Sequence, residues 1–205
     1  MNLIFDFDGT ICDNFDTVFI LATEFLQKEG RTIISANEVR RKGAKKLISE
    51  SGIPKYKIPK LLLLARKKIA EQIPNLKLFK TLPKVIIKLS KKHKLGIITS
   101  NSVENVTTFL KNHKLLKYFS FIHSEIDLFG KGKKLKKVIS RFSLLPEETI
   151  YIGDETRDIE AAKYAKIKSV AVIWGYESEK SLKGQNPDYI AEKPKDLLKM
   201  FNLTS

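Results

Sequence analysis

An apolar triplet near the start of the chain, Leu3, Ile4 and Phe5, runs directly into two aspartates separated by one phenylalanine, and Gly9 follows them. The triplet predicts a short buried strand, on which side chains two apart share a face. Asp6 and Asp8 then face the same side if the strand reaches that far, while Gly9 lets the chain turn without a Cβ penalty. Two carboxylates brought together at a strand end repel unless a cation or a shared proton relieves them. An all-oxygen site of that kind suits Mg²⁺ better than a soft metal. Taken alone, Asp-x-Asp-Gly reads as a solvated turn. A second strand-then-acid passage, at Gly153, Asp154, Glu155 and Asp158, argues for a site instead.

The segment DFDGT, Asp6 to Thr10, resembles the first motif of the haloacid dehalogenase superfamily of phosphohydrolases. That resemblance implies that Asp6 is a nucleophile forming an aspartyl-phosphate, and that Asp8 protonates the leaving group and then activates water. Such a route splits one difficult transfer into two easier ones, and Mg²⁺ offsets repulsion between carboxylate and phosphate dianion. A second apolar strand, Leu95 to Ile98, ends at Thr99, Ser100 and Asn101, whose small hydroxyl and amide groups suit a phosphate. Asn101 with Glu104 resembles a helix-start box whose free amides would point at an anion; alone it would be a cap. Thr99 fits the family's second motif, a hydroxyl on the transferred phosphoryl group. The third motif is a lysine, assigned to Lys131 in the loop before a helix marked by Leu135, Val138, Ile139 and Phe142. Lys133 and Lys134 stand as alternatives, because the family's common lysine-proline pairing is absent. Gly153, Asp154 and Asp158 resemble the fourth motif, which implies that Asp154 binds Mg²⁺ directly and that Asp158 ligates it or holds a coordinated water. The expected metal set is Asp6, Asp8, Asp154 and Asp158, and the expected phosphate set is Asp6, Gly9, Thr99, Ser100, Asn101 and Lys131.

Between these motifs the apolar period changes. Phe15, Val18, Phe19, Ala22, Phe25 and Leu26 recur at helical spacing after Asn14, a candidate N-cap, and Gly30 ends the run. Further helices are expected from Asn37 to Ser49 and after Pro59 to Ile73, with no strand in the block. The expected organisation is a core of residues 1–13 and 80–205 and an inserted helical segment of residues 14–79. The resemblance implies that such a segment is a cap that closes over the site. Its basic run offers Arg41, Lys42 and Gly43 as a specificity loop for an anionic substrate, against the plainer reading of a solvated helix face. In the other half, strands alternate with helices, which predicts a Rossmann-like three-layer α/β/α core with a parallel sheet.

A chain of 205 residues carrying a net charge of +15 would suit a polyanion binder, yet its lysines are scattered over nearly every segment. No aromatic-interleaved basic stripe accompanies the charge, so nucleic acid is not the expected partner. Cys12 is the only cysteine, which excludes an internal disulfide and fits a reducing cytoplasm. The acids at Asp6 and Asp8 interrupt any signal-like run, and Leu61 to Ala65 is too short to cross a bilayer. The expected function is Mg²⁺-dependent hydrolysis of a small phosphate monoester, in the manner of the phosphoglycolate phosphatase branch. Alternatives are a phosphosugar mutase, a phosphonatase using a cap lysine, or a non-catalytic nucleic-acid-binding module.

Overall fold

A computed structural model describes residues 1–32, 35–43, 50, 52–124 and 130–202, the side chains of Lys55 and Leu62 excepted. The chain opens with β1 (Asn2–Phe5), β2 (Cys12–Asp13), α1 (Phe15–Lys28), α2 (Ala36–Lys42), α3 (Ile58–Gln72) and β3 (Lys77–Leu78). It continues through α4 (Leu82–Leu89), β4 (Lys94–Thr99), α5 (Val103–Asn112), β5 (Phe121–Ser124), α6 (Lys131–Arg141) and β6 (Thr149–Gly153). The last elements are α7 (Thr156–Ala165), β7 (Lys168–Val172), α8 (Glu179–Gly184), β8 (Tyr189–Ala191) and α9 (Asp196–Met200).

Alternation along the strands builds the layers. Leu3 and Phe5 of β1, Leu95 and Ile97 of β4, and Ile150 and Ile152 of β6 bury one face against Val85 and Leu89 of α4 and Val106 and Phe109 of α5. Ile4, Ile98 and Tyr151 bury the other face against Leu135 and Val138 of α6 and Ala161 and Ala165 of α7. A strand apolar on both faces belongs inside a parallel sheet. β1 lies between β4 and β6 in the order β5-β4-β1-β6-β7-β8, and every pairing in this sheet is parallel. The chain thus winds outward on both sides of β1. In such sheets the crevice for ligands opens at the carboxyl ends of the strands beside that switch point.

The helices between β2 and β3 are flanked by an antiparallel ribbon in which Cys12 faces Leu78 and Asp13 faces Lys77. β3 is therefore a strand within the span expected to hold none; its two residues are too few to show a period. α2 starts at a capping box of Ser35 and Glu38 and stops at Gly43, short of the helix expected to Ser49; residues 44–49 lie outside those described. Lys131 is the first residue of α6 rather than part of the preceding loop. β5 starts at Phe121, because Leu116–Tyr118 forms a 3₁₀ turn that ends on Phe119.

Gly96 of β4 sits in register with Phe121 of β5, and a Cβ there would fall 2.2 Å from the Phe121 ring, itself stacked on Phe142 at 4.2 Å. Gly96→Ala is expected to cost about 1–3 kcal/mol by overpacking. Urea denaturation of the pair checks this, and an unchanged midpoint would contradict the packing.

Candidate active site

Asp6 is the residue at which β1 turns from apolar to acidic. Its backbone N–H still donates to the Ile152 carbonyl at 2.8 Å, which keeps it in register with β6. Alternation sends its side chain to the face of Ile4, the face that α6 covers. There Lys131 Nζ lies 2.8 Å from Asp6 Oδ2 and also pairs with Asp158 Oδ1. A cation in the first turn of a helix opposes the helix dipole, so this lysine depends on its two carboxylates. Burial alone would lower the Lys131 pKa, but Asp158 and Asp6 hold it well above the ordinary lysine value. It is a fixed ammonium.

Asp8 does not share a strand face with Asp6, because β1 ends at Phe5. The chain turns at once, with the Phe7 carbonyl accepting from the N–H groups of Ile11 and Cys12, each at 2.9 Å. Gly9 makes that turn at φ +75°, and a Cβ on it would fall 2.1 Å from Asp154 Oδ2. Asp8 Oδ1 instead accepts from Asn14 Nδ2 at 2.7 Å and from Asn101 Nδ2 at 3.1 Å. Burial, and then the charge of Asp6, push its carboxyl up to about 6.

Both asparagines depart from the expected helix caps. Asn14 makes no capping bond; besides holding Asp8 it accepts from the Tyr176 hydroxyl at 2.8 Å. Ser102, not Asn101, caps α5, its hydroxyl accepting from Asn105 N at 3.0 Å. Thr99 is buried and its hydroxyl accepts from the Asn101 N–H at 2.9 Å. The Ser100 carbonyl accepts from Arg66 of α3 at 2.8 Å.

The carboxylate of Asp154 is held by the Thr10 hydroxyl at 2.6 Å and the Tyr176 N–H at 2.8 Å. Burial, with Glu155, Asp158 and Asp6 adding to it, raises its pKa well above the carboxylate range. Asp158 Oδ2 accepts from Glu155 N at 3.0 Å, and burial pushes its carboxyl up to about 6 although Lys131 opposes the shift. Asp6, Glu155 and Asp158 each present an oxygen within 4.8 Å of the others, and all three are buried. Against these acids and the buried Asp154 stand Lys131 and Arg157, the latter 2.5 Å from Glu155. An excess of buried carboxylates over cations fits a divalent cation with hard oxygen ligands.

Of the expected metal residues, Asp6 and Asp158 fall in this trio, which Glu155 completes; Asp154 feels the charges of Asp6 and Asp158, and Asp8 that of Asp6. Glu155 stands between two motif positions, which was its available signal; Arg66 carried none. Of the three candidate lysines, Lys131 is the one against Asp6, and Lys133 is exposed. The Arg41 carbonyl accepts from Ser181 of α8, Lys42 pairs with Glu50 at 2.7 Å, and Gly43 packs on Glu177. Their neighbour Arg40 turns inward, donating to the Gly175 carbonyl at 2.8 Å over the Phe15 ring. Trp174 donates to the Thr10 carbonyl at 3.1 Å and packs beside Phe79. Among the described residues no helix is long and apolar enough to cross a membrane.

Fold and site together define a doubly wound α/β protein with a buried acid-and-lysine centre at its switch point. The chain belongs to the haloacid dehalogenase-like hydrolase family, whose model matches residues 3–172. It is 32% identical over 200 residues to a phosphoglycolate phosphatase of Synechococcus elongatus, covering 96% of this chain and 94% of that one. It is 26% identical to pyrophosphatase PpaX of Bacillus mycoides, covering 98% and 96%. Among solved structures, a haloacid dehalogenase-like hydrolase from Streptococcus pneumoniae matches with a TM-score of 0.74 at 25% identity, over 98% and 97% of the two chains. A predicted phosphatase from Clostridium acetobutylicum shares the fold with a TM-score of 0.84 at 19% identity, over 99% and 98%.

Burial, with the charge of Glu155 behind it, also pushes Glu177 up to about 8, beside Asp8 and Asp158 at about 6. Each acid binds its proton more tightly in the folded chain than in the unfolded one. Folding stability then falls as pH rises from about 4 to about 8. Melting temperatures in EDTA are expected to drop across that window, and Glu177→Gln to remove part of the drop at its upper end. A melting temperature that is flat or rises, with no difference for the variant, would contradict these buried acids.

Proposed function

We propose that this protein is a Mg²⁺-dependent phosphatase that hydrolyses a small phosphate monoester of the phosphoglycolate type, with Asp6 as nucleophile. The observation that carries the reading is the division of labour between two neighbouring acids. Asp6 is paired with a fixed ammonium, whereas Asp8 is held apart and pushed up to about 6. A carboxylate paired with a cation, beside a second carboxyl that burial makes readier to hold a proton, suits nucleophile and general acid.

In the first step an Asp6 carboxylate oxygen forms a bond to phosphorus as the ester oxygen leaves. Asp8 gives its proton to that oxygen. In the second step Asp8, now ionised, takes a proton from water, the water oxygen bonds to phosphorus, and the Asp6–phosphorus bond breaks to release inorganic phosphate. Lys131 offsets the negative charge that gathers on Asp6 and the phosphoryl oxygens, and Thr99 and the Ser100–Asn101 loop bind the phosphoryl group. Asp6, Glu155 and Asp158 would hold the Mg²⁺, with Asp154 beside them; its oxygens each accept one hydrogen bond and keep a lone pair. Bound there, the cation supplies Lewis-acid relief of repulsion between carboxylate and phosphate dianion.

The residues between β2 and β3 serve as the cap that shields this chemistry from water. Support for a phosphoglycolate-type substrate is the Synechococcus elongatus relative, which matches nearly end to end. The PpaX relative makes pyrophosphate the second compound to test.

Phosphate release from phosphoglycolate, pyrophosphate and a panel of sugar phosphates should require Mg²⁺ and cease in EDTA. Asp6→Asn should abolish it, and Asp8→Asn should lower kcat by about 10²–10⁴-fold. Release that survives Asp6→Asn would overturn the mechanism.

A further inference from the structure

We infer that Arg66 is a positioning residue that makes the orientation of the Asp8 carboxylate depend on the seating of α3, an inference resting on the phosphatase reading above. Arg66 lies on α3, inside the helical insertion, and its guanidinium crosses to the loop that follows β4. Nε donates to the Ser100 carbonyl at 2.8 Å, and Nη2 faces the same carbonyl at 2.5 Å, the Asn101 carbonyl at 3.0 Å and the Ser124 hydroxyl at 2.9 Å. These partners are neutral oxygens fixed by the backbone of β4 and β5. The guanidinium serves here as a rigid fork rather than as half of an ion pair. The other end of the residue is engaged too, since the Arg66 carbonyl accepts from Asn105 Nδ2 at 2.9 Å.

Both grips converge on Asn101. Its backbone N–H donates to Thr99, and its carbonyl accepts from Arg66 and from the Ser124 hydroxyl. Its side-chain Oδ1 accepts from Ser102 N at 2.8 Å and from Asn105 Nδ2 at 2.9 Å. With Oδ1 filled by two donors, the amide presents Nδ2 to the remaining direction, where Asp8 Oδ1 lies at 3.1 Å. Arg66 therefore fixes Asn101 from the carbonyl side and, through Asn105, from the amide side. When α3 lifts away, both restraints go together. Of the two amides that hold Asp8 Oδ1, Asn14 then remains and Asn101 loosens, so the two-point aim that serves proton delivery to the leaving group belongs to the seated state. A misplacement of about 1 Å at a reacting group can cost about a hundredfold in rate.

Steady-state kinetics with phosphoglycolate and Mg²⁺, on wild type, Arg66→Ala and Arg66→Lys, tests the assignment. Arg66→Ala is expected to lose about ten- to a hundredfold in kcat with KM changed by less than about threefold. Millimolar guanidinium should restore part of that kcat, because a free fork can occupy the same three oxygens. Arg66→Lys, whose point charge cannot span Ser100, Asn101 and Ser124, should fold as wild type yet remain slow. Wild-type protein inactive on every compound tested would overturn the phosphatase reading itself. Active wild type with either variant at wild-type kcat would overturn the positioning role alone. A loss in Arg66→Ala that appears in KM, or that guanidinium does not relieve, would overturn it as well.

Discussion

One buried ammonium ties the centre of this molecule together. Lys131 reaches from the start of α6 to Asp6 at the end of β1 and to Asp158 in the first turn of α7. Without it, two buried carboxylates would face each other at a switch point already crowded by Asp154 and Glu155. Breaking such a pair leaves an uncompensated buried charge and is costly, whereas keeping it does little for stability beyond repaying desolvation. Its persistence therefore speaks for chemistry more than for folding. The same logic runs through Asp8, Asp158 and Glu177, whose carboxyls are all pushed upward by burial. A fold that needed only stability would not gather acids there.

The site is also built from residues with no chemistry of their own. Gly9 gives space to the Asp154 carboxylate, the Thr10 hydroxyl and Tyr176 N–H hold that carboxylate, and Asn14 and Asn101 hold Asp8. These contacts join the loops after β1, β4, β6 and β7. The apolar layers on both sides of the sheet hold those strand ends in fixed register, which lets short polar side chains meet across large sequence separations.

The central strands β1, β4 and β6 were legible because each is a short apolar run that stops at a polar or acidic residue, as at Phe5 to Asp6 and Ile98 to Thr99. The parallel sheet followed from their alternation with helices. Local hydrogen bonding was less legible. Asn14 and Asn101 stand just before helices and read as caps, yet tertiary partners claim their side chains, and Ser102 takes the cap at α5. The common strand face expected for Asp6 and Asp8 also fails, since the turn at Phe7 to Cys12 intervenes. Arg66 was hidden for another reason: in a lysine-rich helix, one more cation gives no sign that it points inward.

The central claim is that Asp6 carries the phosphoryl group. It is tested most directly by mixing enzyme, Mg²⁺ and phosphoglycolate, quenching within milliseconds in acid, and mapping the low-pH peptides by mass spectrometry. The predicted result is a phosphate-mass adduct on the peptide containing Asp6, lost on treatment with hydroxylamine and absent from Asp6→Asn. Rapid turnover with the adduct on a different residue, or with Asp6 unmodified at every quench time, would contradict it.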